Sequence, residues 1–166
     1  EASALLPRFE ASAHWPVRMY AARAAARLRN AESLTRLARD ERDNVREAAI
    51  AGLKTVAGHD ADSLYLEALG RSDYQLVMTA ANALIGTLRS VDAAAALFAA
   101  LARITAEQRD TSRDARLAVL GRIGELGRAV DAPALAPYLH DVDPQVADAA
   151  AAAIGALTGL PAPKSA

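Results

Sequence analysis

Asp43-Asn44-Val45-Arg46-Glu47-Ala48-Ala49, continued by Leu53 and Val56, is the stretch from which the rest of this chain can be read. Counted from Val45, its apolar positions fall at 0, +3, +4, +8 and +11, the spacing of one stripe along a 3.6-residue helix. The pattern returns at Leu76 with Thr79, Ala80, Leu84 and Thr87. It returns at Ala115 with Ala118, Val119, Ile123 and Leu126, and at Val146 with Ala149, Ala150, Ile154 and Leu157. It also stands once upstream, at Val17 with Tyr20, Ala21, Ala25 and Leu28. Successive starts are 28, 31, 39 and 31 residues apart, and such a near-constant period marks stacked repeats.

Shorter helical segments lie between these copies, at roughly 2–12, 31–39, 61–69, 91–104 and 131–139. They carry apolar sets of their own, such as Leu64, Leu66 and Leu69, or Leu97, Phe98 and Leu101. Each unit therefore reads helix A, turn, helix B. The punctuation agrees. Asp143 before Pro144 gives an N-cap followed by proline at the first helical position. Asp43, Asp73 and Ser112 stand before other B helices and Asp62 before an A helix, as capping acceptors. Gly58, Gly127 and Gly159 follow B helices and Gly70 an A helix, where left-handed C-terminal caps are expected.

Composition supports the same reading. The chain is 52% hydrophobic but only 4% aromatic, and much of the apolar content is Ala, the best helix former. No alternating β-type run competes. One two-helix unit cannot bury its apolar face alone, so neighbours must stack into a continuous core. The expected organisation is a single solenoid over residues 1–159, with units at roughly 1–30, 31–58, 59–90, 91–128 and 129–159, and a linker or tail at 160–166.

At this level the chain resembles a known family. Asp43-Asn44-Val45-Arg46-Glu47-Ala48-Ala49 with Leu53, and Asp143-Pro144-Gln145-Val146 with Ala149-Ala150 and Ile154, are similar to the HEAT repeat, nearest the short bacterial type named after the phycobilin lyases. The resemblance covers essentially the whole chain. It implies an all-α right-handed α-α superhelix of about five two-helix repeats. It says little about function, because relatives include scaffolds, lyases, hydroxylases and DNA glycosylases. The copies are imperfect: Arg follows the first apolar position at Arg18, Arg46 and Arg116, but Val77 and Ala147 replace it elsewhere.

Several functions are argued against. With no Cys there is no thiolate nucleophile and no Cys-bound zinc. His59-Asp60-Ala61-Asp62 and His140-Asp141-Val142-Asp143 fall at helix boundaries, where Asp serves as a cap, and two ligands make no metal site. Hydroxylase-like relatives need His-Glu pairs, and the chain has none. Serine nucleophile motifs and phosphate-cradling glycine loops are missing. No catalytic residue, cofactor or metal is assigned. A net charge of −1 gives no pull toward nucleic acid or an anionic membrane, and no apolar run reaches the ~20 residues of a span. The one basic concentration is Arg18, Arg23, Arg27 and Arg29, near Trp15 and Tyr20, read as a solvated helix face with a phosphate or acidic-partner patch as the alternative. Trp15 reads as a plug of the N-terminal turn, and Gly121 and Gly124 as points of close helix approach.

In HEAT-like solenoids the B helices line the concave face, and helical geometry then turns positions +2, +6, +9 and +13 of each stripe toward a partner. The partner-binding residues expected are Met19, Arg23, Asn30, Glu47, Lys54, Met78, Asn82, Ile85, Arg89, Leu117 and Arg128. Met19, Met78, Ile85 and Leu117 are apolar on a face that should be wet, as in a protein or peptide groove. Two irregularities remain. The long interval between Leu76 and Ala115 should extend the fourth A helix and the polar stretch Thr105–Ser112, where an insertion can carry binding. The last B helix has almost no polar face and runs into Gly159-Leu160-Pro161-Ala162-Pro163, so the chain is expected to belong to a longer protein or to pack there on a partner. The reading is a non-enzymatic scaffold binding protein or peptide, with cytoplasmic and exported locations both open. The alternative is an enzyme or accessory, lyase-like or nucleic-acid-directed, or a solenoid joined to a catalytic domain such as a peptidyl-prolyl isomerase.

Overall fold

The computed structural model describes residues 2–164, in which helices alternate with short turns and no strand occurs. The chain forms two compact units, Glu1–Leu84 and Ile85–Ala166.

The first unit contains α1 (Ala2–Glu10), α2 (Trp15–Arg27), α3 (Ala31–Leu37), α4 (Asp43–Val56), α5 (Asp62–Leu69) and α6 (Tyr74–Ala83). Even-numbered members are the B helices, and α4 packs between α2 and α6, while α1, α3 and α5 pack against α2, α4 and α6 in turn. The stripe positions of α4 and α6 close the core: Val45, Ala49, Leu53, Leu76, Ala80 and Leu84 are fully buried. Ile50, Val77 and Ala81, outside the stripe, are buried as well, because each B helix is covered by its own A helix and by a neighbouring B helix. The first copy is looser, since Tyr20 is 62% exposed and Leu28 40%. Gly52 sits where α4 meets both α2 and α3. A Cβ there would lie 2.8 Å from Leu34 Cδ2 and 2.9 Å from Ala26 Cβ, so only glycine permits this approach. Tyr65 is buried beneath α5; its hydroxyl donates to Gly58 O at 2.8 Å, and burial with the Asp62 charge nearby pushes its pKa up to about 12.

The second unit contains α7 (Ser90–Ala106), a 3-10 turn at Asp110–Ser112, α8 (Arg113–Leu126), a 3-10 segment at Ala129–His140 and α9 (Pro144–Thr158). α8 packs against α7 and α9, and α9 also against the 129–140 segment. The long repeat interval is absorbed as the sequence implies, with α7 running 17 residues. The expected fifth A helix is instead 3-10 throughout, because Pro133 and Pro137 have no N–H to donate and interrupt any α-helical ladder.

Caps are realised in part. Asp73 accepts from Leu76 N, and Asp143 accepts from Gln145 N ahead of Pro144. Asp43 is the first helical residue, and the Ser112 side chain makes no cap bond. Gly58 and Gly159 are left-handed at φ 56° and 69°, whereas Gly70 and Gly127 are not, their φ being −76° and −75°. The third B helix stops at Ala83, short of the expected Thr87, because Gly86 turns left-handed at φ 78°. After α9 the chain turns back on itself: a Cβ on Gly155 would meet Ala162 Cα and Leu160 O at 3.2 Å each.

Candidate functional site

The expected partner-binding residues fall into three environments. Met19, Glu47, Met78, Asn82 and Leu117 lie on B helices and are half-buried; Arg23 and Lys54 lie on B helices and are exposed. Glu47 is tied to the adjacent B helix, accepting from Thr79 Oγ1 at 3.0 Å. Arg23 stacks over the Tyr20 ring, 5.4 Å from its centroid. Ile85, 47% exposed, stands in the turn after α6 rather than on it. The fourth rung of the ladder is punctuation. B helices of 10 to 15 residues end before position +13, so Asn30, Arg89 and Arg128 stand at the start of the segment that follows. Asn30 Oδ1 accepts from Ser33 N, Arg89 pairs with Asp92, and Arg128 with Asp131.

Of these residues, Leu117 enters a distinct groove. Between α8 and α9 runs an opening of about 410 Å3, walled by Leu117, Leu120, Ala149 and Ala152, with Arg122 and Glu125, an ion pair, along it. The two glycines expected to permit close helix approach divide the roles. A Cβ on Gly124 would meet Ala153 Cα at 3.1 Å, so that glycine does set the helix spacing. Gly121 is exposed, and a Cβ there meets nothing within 4 Å. Gly121 therefore widens the groove instead of tightening the packing.

Charged groups concentrate at the turns between A and B helices. Arg18, expected on the solvated basic face, is only 8% exposed. Its Nε and Nη2 donate side-on to Asp40 Oδ2 and Oδ1 at 2.6 and 2.8 Å, and its Nη1 donates to Ser12 O at 2.8 Å. Asp40 Oδ1 also accepts from Arg42 N at 2.9 Å. Burial pushes the Asp40 carboxyl up, but these donors more than offset it and hold it below the usual carboxylate range. The Asp40 carboxylate in turn raises the Arg18 guanidinium. The second unit repeats the motif: Asp141 Oδ1 accepts from Asp143 N at 3.0 Å, and Arg116 Nη1 donates to Asp141 Oδ2 at 2.6 Å. Arg113 Nε pairs with Asp143 at 2.6 Å. Arg46, in the same register as Arg18 and Arg116, donates to Asp40 O at 2.5 Å in the turn between α3 and α4, because Arg71 fills the position where the next aspartate would stand and pairs with Asp43 instead.

The basic segment thus loses Arg18 to the interior. Arg23, Arg27 and Arg29 remain exposed, with no ion-pair partner among the described residues, and Trp15 is 37% exposed at the start of α2. His59 Nδ1 lies 3.0 Å from buried Asp62 Oδ1. Among the described residues no three of His, Cys, Asp and Glu converge as a metal site, and no helix is long and apolar enough to cross a membrane.

Sequence reasoning did not single out the cleft beside Arg116, walled by Thr105, Arg109, Arg116, Pro137, Tyr138, His140 and Val142. Its one available signal was the polar stretch Thr105–Ser112 in the long interval, which names a place but no chemistry.

In comparisons with known proteins, the family model for HEAT repeats matches residues 2–85. No curated protein matches the chain. HEAT repeats generally mediate protein interactions as scaffolds.

Proposed function

The chain belongs to the HEAT-repeat family, and on that premise we propose that it is a non-catalytic scaffold that binds a protein or peptide along the faces of its B helices. The observation that carries the reading is the α8–α9 groove. An apolar channel open along its length, with Gly121 leaving room where any other residue would protrude, suits the side chains of a docked segment. Its polar edge, Arg122 and Glu125, can fix the orientation of such a segment without a catalytic group. Exposed Arg23 and Lys54, and half-buried Met19 and Met78, would give the B helices of the first unit a comparable mixed surface.

The test is retention of proteins from the source organism on immobilised protein, read in parallel for Gly121→Trp and Met78→Glu. A Cβ at Gly121 meets nothing within 4 Å, so Gly121→Trp projects into the groove, and circular dichroism checks that its helices are kept. Partners retained by the wild type and lost on Gly121→Trp support the reading. An identical set on all three proteins refutes the B-helix face, and retention of nothing refutes the scaffold.

A further inference from the structure

The buried arginine of the second unit is incompletely satisfied, and its side chain lines a cleft. Arg116 is 6% exposed, yet among the described residues its only acceptor is Asp141 Oδ2, reached end-on through Nη1. Its Nε–H is buried with no acceptor. The Thr105 hydroxyl is likewise buried without a partner. Both residues wall the same opening of about 690 Å3, together with Arg109, Tyr138 and Pro137. A buried donor left unmade is costly, so two in one wall mark a place where an acceptor is missing.

We propose that this cleft binds an acidic peptide segment, one carboxylate of which takes the Nε/Nη2 edge of Arg116. The first unit shows what that edge accepts: in Arg18 it holds a carboxylate, Asp40, side-on. In Arg116 the same edge is free, because Asp141 engages the other nitrogen and its second oxygen is committed to Asp143 N. The guanidinium fork matches two carboxylate oxygens, and the Thr105 hydroxyl supplies a further donor. The Nε–H is shielded from water, so entry of the ligand accompanies a turn of the guanidinium that brings this edge round to the cleft. Arg109, exposed and with no ion-pair partner among the described residues, offers a second cation for a neighbouring acidic side chain. Pro137 and Val142 give apolar contact to the peptide between its charges. Asp110 on the wall opposes binding and sets its limit. The cleft shares no wall residue with the α8–α9 groove, so this inference stands apart from the B-helix proposal.

The test is fluorescence anisotropy with a labelled, end-blocked tetraglutamate peptide, its tetraglutamine analogue as control, and inorganic phosphate and acetate as competitors. Arg116→Lys keeps the charge but is shorter and lacks the planar fork, and should weaken the glutamate peptide about tenfold. Thr105→Val leaves the Arg116–Asp141 tie intact, and should weaken it about threefold. Asp110→Asn should tighten it, and Gly121→Trp should leave it unchanged. Should Arg116→Lys lose its helical circular dichroism, Thr105→Val carries the test. Unchanged binding by Thr105→Val and Arg116→Lys overturns the proposal, as does equal binding of the glutamine peptide. Displacement by phosphate more effective than by acetate overturns the carboxylate assignment.

Discussion

Arg18 and Arg116 occupy the same register, one residue into the stripe of a B helix, and each reaches an aspartate five residues before the next stripe begins. The pairs are buried to the same degree, with side chains between 7% and 10% exposed. They differ in completeness. Arg18 is held side-on by Asp40 and finished by the carbonyl of Ser12, so every nitrogen of its fork has an acceptor. Arg116 holds Asp141 through one nitrogen, and no carbonyl of the preceding turn reaches it; Arg109 O there is taken by Ser112, from both its N–H and its hydroxyl. Register decides which residues pair. The connecting turn decides how many donors are satisfied.

The sharpest way to break this comparison is to remove each aspartate. Asp40→Ala strands a fully engaged, buried guanidinium and should cost about 3–5 kcal/mol. Asp141→Ala breaks one charged hydrogen bond to Arg116 and the bond from Asp143 N where Asp40→Ala breaks two charged bonds, and should cost less, about 2–3 kcal/mol. Urea unfolding of the two variants measures the gap. Equal losses would show that the side-on geometry adds nothing to stability.

Acid offers a gentler probe of the same pair. The folded pKa of Asp40 is depressed, so the ionised form is favoured by folding. Its contribution is therefore complete above the unfolded carboxylate value of about 3.9, and is lost as pH falls through the lower folded value. The stability gap between wild type and Asp40→Asn should be full at pH 6 and should shrink at strongly acidic pH. A gap that stays constant down to acid unfolding would mean that the Asp40 charge does not stabilise the fold.

The sequence made these pairs only half legible. The arginines at +1 were visible as a recurring residue, but a recurring Arg on an amphipathic helix reads as solvated, and Arg18 was grouped with Arg23, Arg27 and Arg29 on that basis. Its burial depends on Asp40, 22 residues away, and on a carbonyl in the turn before α2, relations that no local pattern carries. The repeat itself was legible because buried positions at 0, +4 and +8 recur whatever the turns do. Helix ends were not: α6 stops early at a left-handed glycine, and the 129–140 segment turns 3-10 under two prolines. The ladder of expected partner-binding residues relies on helix length at Ile85, Arg89 and Arg128, which stand beyond their helix ends, whereas Leu117, well inside α8, lines the α8–α9 groove.

The second unit thus leaves open two places, the Arg116 edge and the face at Gly121, and the second can be separated from packing by one methyl group. Gly124, three residues on, is tighter: a Cβ would lie 3.1 Å from Ala153 Cα, so the backbone of α9 would have to give by a few tenths of an ångström. At Gly121 a methyl group meets nothing within 4 Å, so the only change is in backbone entropy. Gly121→Ala should therefore raise stability by about 0.5–1 kcal/mol, the ordinary gain of Ala over Gly inside a helix. Gly124→Ala should lower it. Thermal unfolding of the two single variants distinguishes these signs. A loss at both sites would mean that α8 and α9 pack at Gly121 as well, and the groove assigned to a partner would be closed. A gain at Gly121 alone would mean that the glycine there costs stability without serving the fold, as expected of a residue kept small for something that docks against it.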